Sequence, residues 1–400
     1  MTTTTSDEIQ ARESRHILQT YKRLPVTFVR GQGVHLYDID GREYTDLLSG
    51  IGVASLGHAH DGLADVIADQ AHTLLHTSNI FYHPLQGQAG ERLAALSGLP
   101  RTFFCNSGTE AVEACLKFAR RYWYTKGEVR PDILALEESF HGRTFGALSV
   151  TSDEHYRRPF EPLLSGVRWV SPDPAALRAA ASSRTAAIIV EPIQGEGGVR
   201  PLSRAFADAV NDVSAATGAL VIADEVQSGL GRTGQPFYSS ALGLRPHLVS
   251  VGKALGAGVP VGAALVSDQV ASTIAFGDHG STYGGNLLAC RAAIFFLDAL
   301  QNGLLDHVGR VGAHVERRLR AIAAARPIVK DVRGAGLFWG LELSRDAAPV
   351  VTAALERGVI VNRTAETVVR LLPPLVITEA EADDALARLD EALGAVDAKG

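Results

Sequence analysis

Four short runs that are almost entirely apolar constrain the fold of this chain more than any other feature of its sequence. They cover residues 133–136, 187–190, 220–223 and 248–251. Each run is too short for a helix, and strands that are buried on both faces of a parallel sheet have this nearly continuous apolar pattern. Strand and helix signals alternate from about residue 100 to about residue 290, so the sequence predicts βαβ units on a mostly parallel sheet.

The C-terminal part of the chain has a different pattern, which predicts a separate, smaller α+β domain. Helical segments are predicted there at 292–325 and 347–356 and, after a cap at Thr378, from 379 onward, and strand-like segments at 336–343, 359–361 and 368–372. Two N-terminal strand-like segments, 34–37 and 43–46, are joined by the hairpin turn Asp40-Gly41 and are expected to pack with this domain. We therefore predict an N-terminal segment 1–55, a large domain 56–290 and a small domain 291–400.

Composition and charge exclude several classes of partner. Apolar residues make up 46% of the chain and charged residues 20%, as in soluble globular proteins. A net charge of -6 argues against a nucleic-acid surface, and the longest apolar runs have strand length, so no membrane partner is expected. Residues 1–8 form a polar tail that lacks the features of a secretory signal. The three cysteines have no paired spacing, so we expect a reducing, cytoplasmic location.

A single lysine, Lys253, follows the apolar run 248–251 directly after Gly252. Most lysines in proteins are solvated, and a lysine without context would be interpreted that way. A lysine beside a buried strand is desolvated, which lowers the pKa of its amine and makes it a nucleophile near neutral pH. Lys253 is therefore a candidate for covalent attachment of an aldehyde and for proton transfer.

Two further segments also follow predicted strands. Asp224 ends the run 220–223, and the small-residue turn 106–109 follows the strand-like residues 103–105. Taken alone, Asp224 could form a salt bridge or a helix cap, and the turn could be an ordinary N-cap. In open α/β sheets, however, ligands bind beyond the carboxyl ends of strands, and free N–H groups at a helix start bind phosphate. A buried amine, a buried carboxylate and a phosphate-sized turn together predict a site for pyridoxal phosphate (PLP), whose pyridine nitrogen a carboxylate keeps protonated.

Two other patterns carry less information. Residues 229–234 match the dinucleotide-binding pattern G-x-G-x-x-G, but they neither follow a strand directly nor open a helix, so we interpret them as a loop. The pairs His58/His60 and His72/His76 lack a companion cluster of cysteines or carboxylates. We therefore expect no metal site.

A series of motifs carries a resemblance to a known family. They lie at residues 47–53, 56–58, 106–111, 140–144, 191–198, 224–234, 252–255, 280–286 and 370–375. In this order, and over nearly the whole chain from Tyr21 to Leu386, the sequence resembles the class III (subgroup II) PLP-dependent aminotransferases, most of all their acetylornithine/ornithine branch. It departs from them at Asp61 and Leu287, where the family usually has proline. Both positions lie beside the motifs, so we interpret the departures as changes in the stiffness of a turn.

The resemblance implies PLP fold type I, an α/β fold in which a large domain surrounds a mostly parallel sheet and a smaller α+β domain follows. It also implies which residues hold the cofactor. Ser107, Gly108 and Thr109 bind its phosphate, and Phe140 and Val226 cover the two faces of its ring. Asp224 binds the ring nitrogen, Gln227 binds the phenolic oxygen, and Glu225 belongs to the same segment. Lys253 binds the cofactor covalently, and Thr282 reaches the phosphate of the cofactor in a neighbouring subunit. The implied assembly is a homodimer with shared active sites.

The resemblance further implies how substrates are bound. Arg143, Arg370 and Ser281 bind substrate carboxylates, and Tyr21 aligns with a tyrosine that contacts the substrate. Glu196 resembles a gate that pairs with Arg370 while an amine donor occupies the site and releases it for 2-oxoglutarate or glutamate. This assignment agrees with the chemistry, because a guanidinium binds a carboxylate in a bidentate manner and two arginines suit a dicarboxylic acid.

The implied reaction transfers the terminal amino group of an ornithine-like donor to 2-oxoglutarate, which gives a semialdehyde and glutamate. N2-acetylornithine is the favoured donor, as in arginine biosynthesis, and ornithine, 4-aminobutyrate, succinylornithine or an N-blocked lysine are alternatives. The same fold also allows an aminomutase, an isomerase that needs no second substrate. A non-catalytic binding protein is a third interpretation, but it predicts degraded motifs, whereas Lys253, Asp224, Arg143 and Arg370 are all present.

Overall fold

Strands and helices alternate along most of the chain. The computed structural model describes residues 5–398. Its strands are, in chain order, β1 (Phe28–Gln32), β2 (His35–Asp38), β3 (Glu43–Asp46), β4 (Arg101–Cys105), β5 (Asp132–Leu136), β6 (Val167–Val170), β7 (Thr185–Val190), β8 (Ile193–Gln194), β9 (Arg200–Pro201), β10 (Leu220–Asp224), β11 (Leu248–Val251), β12 (Gly262–Val266), β13 (Val329–Ala335), β14 (Phe338–Leu343), β15 (Val359–Ile360), β16 (Asn362–Thr364) and β17 (Val368–Leu371). Its α-helices are α1 (Ser6–His16), α2 (Ser49–Gly52), α3 (Asp61–Thr73), α4 (Pro84–Ser97), α5 (Gly108–Thr125), α6 (Phe145–Val150), α7 (Glu154–Arg157), α8 (Pro174–Ala180), α9 (Arg204–Thr217), α10 (Tyr238–Ala241), α11 (Asp268–Ala271), α12 (Leu287–Ala299), α13 (Leu305–Ala325), α14 (Ala348–Glu356) and α15 (Glu379–Asp397).

A seven-stranded sheet, in the order β4-β12-β11-β10-β7-β5-β6, forms the centre of the larger part of the molecule. The neighbouring pairs among β11, β10, β7, β5 and β6 are parallel, and β12 runs antiparallel to both of its neighbours. The predicted apolar runs lie in β5, β7, β10 and β11, and every residue of these four strands is buried. The predicted mostly parallel sheet is therefore confirmed.

Apolar side chains cover both faces of this sheet, because successive strand residues point to opposite sides. In β5, Ile133 and Ala135 belong to a core that includes α5, whereas Leu134 and Leu136 belong to a larger core on the other face. The larger core includes residues of α9 and α12 and continues into the C-terminal part of the chain. Because both faces are covered, the ends of the strands are the part of the sheet that is left for a binding site.

The C-terminal part is built on an antiparallel sheet in the order β13-β14-β17-β16, which packs with α13. The sequence pattern did not predict β13, because Val329–Ala335 mixes buried and exposed positions without regular alternation. The predicted helical segment 292–325 is interrupted by a π-helical turn at Leu300–Leu304, where Asn302 and Gly303 leave helical geometry. The structure therefore has two helices, α12 and α13, in place of one continuous helix.

The N-terminal strands lie beside the C-terminal part of the chain. A four-stranded sheet has the order β1-β2-β3-β15, and β3 pairs in parallel with β15 so that Thr45 lies opposite Val359. The division of the chain at residues 55 and 290 stays a prediction.

The first helix begins inside the expected polar tail, at Ser6. Thr5 caps α1, and its side chain and that of Glu8 form a reciprocal capping box. The sequence gives no apolar signal for this helix, since none of its residues is buried. Residues 1–4 of the expected tail, and residues 399–400 of the small domain, lie outside the described residues.

One helical stretch, Leu287–Ala325, is long and apolar enough to cross a membrane by length and composition alone. Half of its most apolar window is buried inside the protein, as in the core helix of a soluble protein. We therefore interpret it as part of the core that α12 and α13 form with the neighbouring strands.

Candidate active site

Five segments converge at the carboxyl ends of the parallel strands. The turn that begins at Ser107 follows β4, Phe140 follows β5, Glu191 follows β7, Asp224 ends β10, and Lys253 follows β11. The carboxyl ends of parallel strands share one edge of the sheet, so separate stretches of the sequence meet there. The structure thus brings most of the predicted cofactor residues together.

Asp224 is buried, and both of its carboxylate oxygens are engaged. One oxygen accepts hydrogen bonds from Ser250 Oγ at 3.0 Å and from the Val226 N–H at 3.1 Å. The other lies 2.7 Å from Nδ1 of His141, which is also buried. Ser250 lies opposite Asp224 in the register of β10 and β11, so the sheet itself supplies this partner. A buried carboxylate held in this way is suited to face a protonated ring nitrogen.

Glu191 is a second buried carboxylate close to Asp224. Its two oxygens accept hydrogen bonds from the N–H groups of Phe140 at 2.8 Å and Gly195 at 3.2 Å. Burial raises the pKa of Glu191 to about 7, while the nearby His141 lowers it and Asp224 raises it further. Glu191 therefore connects the segment that carries Phe140 to the segment that leads into the predicted gate.

The amine of Lys253 is placed in a desolvated and strained segment. The residue has a φ of 34°, in the left-handed region, which costs a non-glycine residue about 1–3 kcal/mol. Burial lowers the pKa of the Lys253 amine, while Glu196 raises it and Arg370 lowers it further. A Cβ at Gly52 would lie 3.9 Å from Cδ of Lys253, so the 47–53 motif forms a wall beside this side chain. A lysine in these surroundings is a nucleophile and a proton carrier.

Two glycines allow the strand ends to approach the start of α5. A Cβ at Gly108 would lie 2.6 Å from Cγ1 of Val226, and a Cβ at Gly252 would lie 3.0 Å from Cα of Gly108. Ser107 caps α5, and its Oγ accepts a hydrogen bond from the Glu110 N–H at 3.3 Å. The free N–H groups at the start of this 18-residue helix favour an anion. The hydroxyl groups of Thr109 and Thr144 share a hydrogen bond, with their oxygens 2.9 Å apart.

Phe140 and Tyr156 line the adjoining cleft, and Arg143 packs against both of their rings. The rings of Phe140 and Tyr156 meet edge to face with their centroids 6.1 Å apart. The guanidinium carbon of Arg143 lies 3.7 Å from the Tyr156 ring centroid and 5.4 Å from that of Phe140. The cleft has a volume of about 520 Å³ and is also lined by Glu196 and Thr364. Arg143 is exposed, so its guanidinium is accessible to an anionic ligand.

The side chain of Arg370 is completely buried, and three side chains surround its guanidinium. Nη1 donates to Glu196 Oε1 at 2.5 Å and to Gln227 Oε1 at 3.0 Å, and Nε donates to Asn362 Oδ1 at 3.1 Å. Burial alone would raise the pKa of Glu196, but the charge and hydrogen bond of Arg370 outweigh it and lower the pKa. The structure therefore brings Glu196 and Arg370, the two residues of the predicted gate, together as an ion pair.

Four predicted residues have different surroundings. The Glu225 carboxylate accepts a hydrogen bond from Ser228 Oγ at 2.6 Å, within the loop that follows β10. Ser281 is partly buried, Thr282 is exposed, and the side chain of Tyr21 is 75% exposed. The single chain does not place these last three beside Lys253 or Asp224, and the roles of all four stay predictions.

Comparison with known proteins identifies the family. A profile of the family described as Aminotransferase class-III matches residues 17–393. This match covers nearly the whole chain and includes every segment of the site. The chain therefore belongs to the class III aminotransferases.

Named relatives match the chain over almost its full length. The chain is 44% identical over 377 residues to the acetylornithine aminotransferase of Archaeoglobus fulgidus, a match that covers 94% of this chain and 97% of that protein. A structure of the ornithine aminotransferase of Toxoplasma gondii, described with partial occupancy of PLP at its active site, matches with a TM-score of 0.95 at 33% identity and covers 100% of this chain and 96% of that chain. The N-acetylornithine aminotransferase of Stenotrophomonas maltophilia matches with a TM-score of 0.83 at 33% identity and covers 96% of this chain and 99% of that chain. The predicted fold of the PLP aminotransferases is confirmed.

PLP is the cofactor of this family, and the residues present fit it. The start of α5 suits a phosphate, the buried Asp224 suits a pyridine nitrogen, and the desolvated Lys253 suits an aldehyde. Gly108 and Gly252 let Val226 and the end of β11 approach the start of α5, since an added Cβ would meet neighbouring atoms at 2.6 Å and 3.0 Å. The donor set and the close backbone approach therefore agree with the cofactor that the sequence predicts.

Sequence reasoning missed four residues of the site: His141, Glu191, Tyr156 and Asn362. His141 and Glu191 lie inside motifs, so the motifs contained a signal for them, although their neighbours were singled out instead. Tyr156 and Asn362 lie outside every motif and reach the site through the fold alone.

Proposed function

We propose that this class III aminotransferase transfers the terminal amino group of N2-acetylornithine to 2-oxoglutarate, as part of arginine biosynthesis. The observation that carries the proposal is the 44% identity, over 94% of the chain, to a protein named acetylornithine aminotransferase. The ion pair between Glu196 and Arg370 supports it, because one site must accept both a donor with one carboxylate and an acceptor with two.

The two arginines divide the recognition of the substrates. Arg143, which is exposed and packs against the rings of Phe140 and Tyr156, suits the carboxylate of the donor and one carboxylate of 2-oxoglutarate. Arg370 suits the second carboxylate of 2-oxoglutarate or glutamate once Glu196 has moved away. While a donor with a single carboxylate is bound, the pair of Glu196 and Arg370 stays closed and no buried charge is left without a partner.

The remaining residues hold the cofactor and move a proton. When bound, PLP supplies an electron sink and carries the amino group between the two substrates. Asp224 holds the ring nitrogen in its charged form, Phe140 and Val226 enclose the ring, and Ser107 with the start of α5 binds the phosphate. Nζ of Lys253, whose pKa is lowered by burial, takes up a proton from the carbon atom that loses the amino group. It returns a proton to the carbon atom that gains the amino group.

A panel of amine donors tests the proposal. With 2-oxoglutarate as the acceptor, N2-acetylornithine should give a higher kcat/KM than ornithine, 4-aminobutyrate or succinylornithine, measured by the formation of glutamate. Glutamate alone should release 2-oxoglutarate, which an aminomutase would not do. Lys253→Ala should lower turnover by about 10²-fold or more, since the proton carrier and nucleophile are lost. Full turnover in this variant, or no turnover with any donor, would overturn the proposal.

Ornithine is the second candidate donor. The Toxoplasma gondii ornithine aminotransferase and the Stenotrophomonas maltophilia N-acetylornithine aminotransferase both share 33% identity with the chain, and the former has the higher TM-score. An acetyl group changes few contacts and is worth about 1–3 kcal/mol in discrimination. The order of kcat/KM for the two donors therefore decides between these candidates.

We also propose that the enzyme acts as a homodimer in the cytoplasm. Three consecutive apolar residues support a partner surface, because Ile80, Phe81 and Tyr82 are 81%, 65% and 105% exposed. Thr282 is exposed as well, which leaves it accessible to a second subunit. The three cysteines are free and buried, as expected in a reducing compartment.

A further inference from the structure

The short strand β16 contacts both members of the ion pair between Glu196 and Arg370. Asn362, its first residue, lies opposite Arg370 in the antiparallel register of β16 and β17. Its Oδ1 accepts a hydrogen bond from Nε of Arg370 at 3.1 Å. Thr364, its last residue, donates from Oγ1 to the backbone carbonyl of Glu196 at 2.6 Å. One strand therefore holds the arginine by its side chain and the glutamate by its main chain.

The hydrogen bond of Asn362 is independent of the ion pair. It engages Nε of Arg370, whereas Glu196 and Gln227 both accept hydrogen bonds from Nη1. A substrate carboxylate that replaces Glu196 would leave the bond to Nε in place. Because Arg370 is completely buried, a guanidinium without this partner would turn toward other acceptors when Glu196 leaves.

We propose that Asn362 is a positioning residue that keeps Arg370 directed at the second carboxylate of a dicarboxylic substrate. The proposal rests on the proposed function, in which Glu196 and the substrate exchange places at Arg370. Asn362 acts through Arg370. It has no part in the recognition of the amine donor, because the ion pair between Glu196 and Arg370 stays closed while the donor is bound.

The absence of charge on Asn362 is part of this role. A neutral amide accepts the hydrogen bond from Nε and adds no negative charge beside the incoming carboxylate. An aspartate has the same shape and would keep the hydrogen bond, but its charge would compete with the substrate for Arg370. Asn362→Ala and Asn362→Asp therefore remove, respectively, the hydrogen bond and the neutrality.

Calorimetric titration of the PLP-loaded enzyme with glutarate, an unreactive dicarboxylate, tests the proposal by binding alone. Asn362→Ala should raise the Kd of glutarate about tenfold, as expected when a charged donor loses its acceptor. Asn362→Asp should raise it at least as much, although the change preserves the shape of the side chain. The matched control is Asn211→Ala, which removes an amide with two hydrogen bonds on α9, to Gly243 and Arg245, and should leave the Kd unchanged.

Single-turnover kinetics separates a positioning role from a structural one. The half-reaction with glutamate should show a raised KM in both Asn362 variants, while the half-reaction with the amine donor keeps its wild-type KM and rate. Equal losses in both half-reactions, or an unchanged Kd for glutarate, would overturn the role of Asn362. If the wild-type enzyme converts no 2-oxoglutarate to glutamate, the proposed function is wrong, and this outcome is visible before any variant is made.

Discussion

At the scale of single residues, the site depends on ionisable groups that are held away from water by specific partners. Asp224 is fixed by Ser250 and His141, and Glu191 is fixed by two backbone N–H groups. Each buried carboxylate therefore has the hydrogen bonds that its burial requires. Burial raises the pKa of Glu191 from an ordinary value of 4.5 to about 7, so the contribution of this residue to stability depends on pH.

Glu191→Gln should change how the stability of the enzyme depends on pH. A raised pKa means that the folded state favours the protonated carboxyl, so the wild type loses stability as the pH rises from about 4.5 to about 7. The glutamine variant lacks this loss. Its free energy of unfolding relative to the wild type should thus increase by about 2–3 kcal/mol across that range, at about 1.4 kcal/mol for each unit of pKa. Urea unfolding at several pH values between 5 and 8 measures the difference.

A matched control for Glu191→Gln is available on α5. The Glu113 carboxylate is partly exposed and also accepts hydrogen bonds from two backbone N–H groups, those of Gly146 and Ala147. Both N–H groups donate to Oε1, which the amide oxygen of glutamine can replace, so Glu113→Gln reports the loss of a carboxylate charge at a site where water is near. If the wild type and Glu191→Gln have parallel stability curves against pH, the assignment of a raised pKa to Glu191 is wrong.

At the scale of elements, the start of α5 is where packing decides function. Gly108→Ala would place a Cβ 2.6 Å from Cγ1 of Val226, at the point where the helix meets the loop after β10. Alanine favours a helix more than glycine does, by about 0.5–1 kcal/mol, but an overpacked contact costs about 1–3 kcal/mol. We expect a lower melting temperature and weaker PLP binding, measured by thermal unfolding and by dialysis against the cofactor.

Gly87→Ala is the control for this substitution. Gly87 lies in α4, and an added Cβ there would meet no atom within 4 Å. The helix propensity of alanine should therefore act alone, and the variant should be as stable as the wild type or slightly more stable. A Gly108→Ala enzyme that matches Gly87→Ala in stability and in PLP affinity would show that α5 and Val226 are not packed as described.

Local sequence patterns predicted strands and helices well where burial requires one regular spacing of apolar residues. The runs in β5, β7, β10 and β11 are strands because a strand that is buried on both faces is apolar along most of its length. The polar helix α1 and the irregular strand β13 gave no such signal, since their burial is slight or uneven. The start of α5 was predicted from its turn residues, but the steric need for Gly108 depends on Val226, which lies far away in the sequence.

At the scale of the whole molecule, the site is made by contacts between residues that are distant in the chain. His141 and Asp224 are 83 positions apart, and Glu196 and Arg370 are 174 apart. Spacing in the sequence contains no information about such pairs, so the resemblance to a family supplied Glu196 and Arg370, while Asn362 emerged from the β16–β17 register alone. The fold therefore explains positioning residues that a list of motifs leaves out.

The whole molecule also has a surface that a single chain leaves open. If Ile80, Phe81 and Tyr82 form the dimer interface, the wild-type enzyme should have about twice the chain mass of 42.4 kDa in light scattering coupled to size-exclusion chromatography. Ile80→Glu combined with Phe81→Glu would bury two unpaired charges in that interface, so the variant should become monomeric. Because Thr282 is expected to reach the partner's cofactor, the monomer should also lose PLP more readily on dialysis.

Val129→Glu, a charge at an apolar residue that is 92% exposed elsewhere on the chain, is the control and should stay dimeric. A monomeric wild type would show that the enzyme is not a dimer. A double variant that stays dimeric and retains its PLP would show that the interface lies elsewhere.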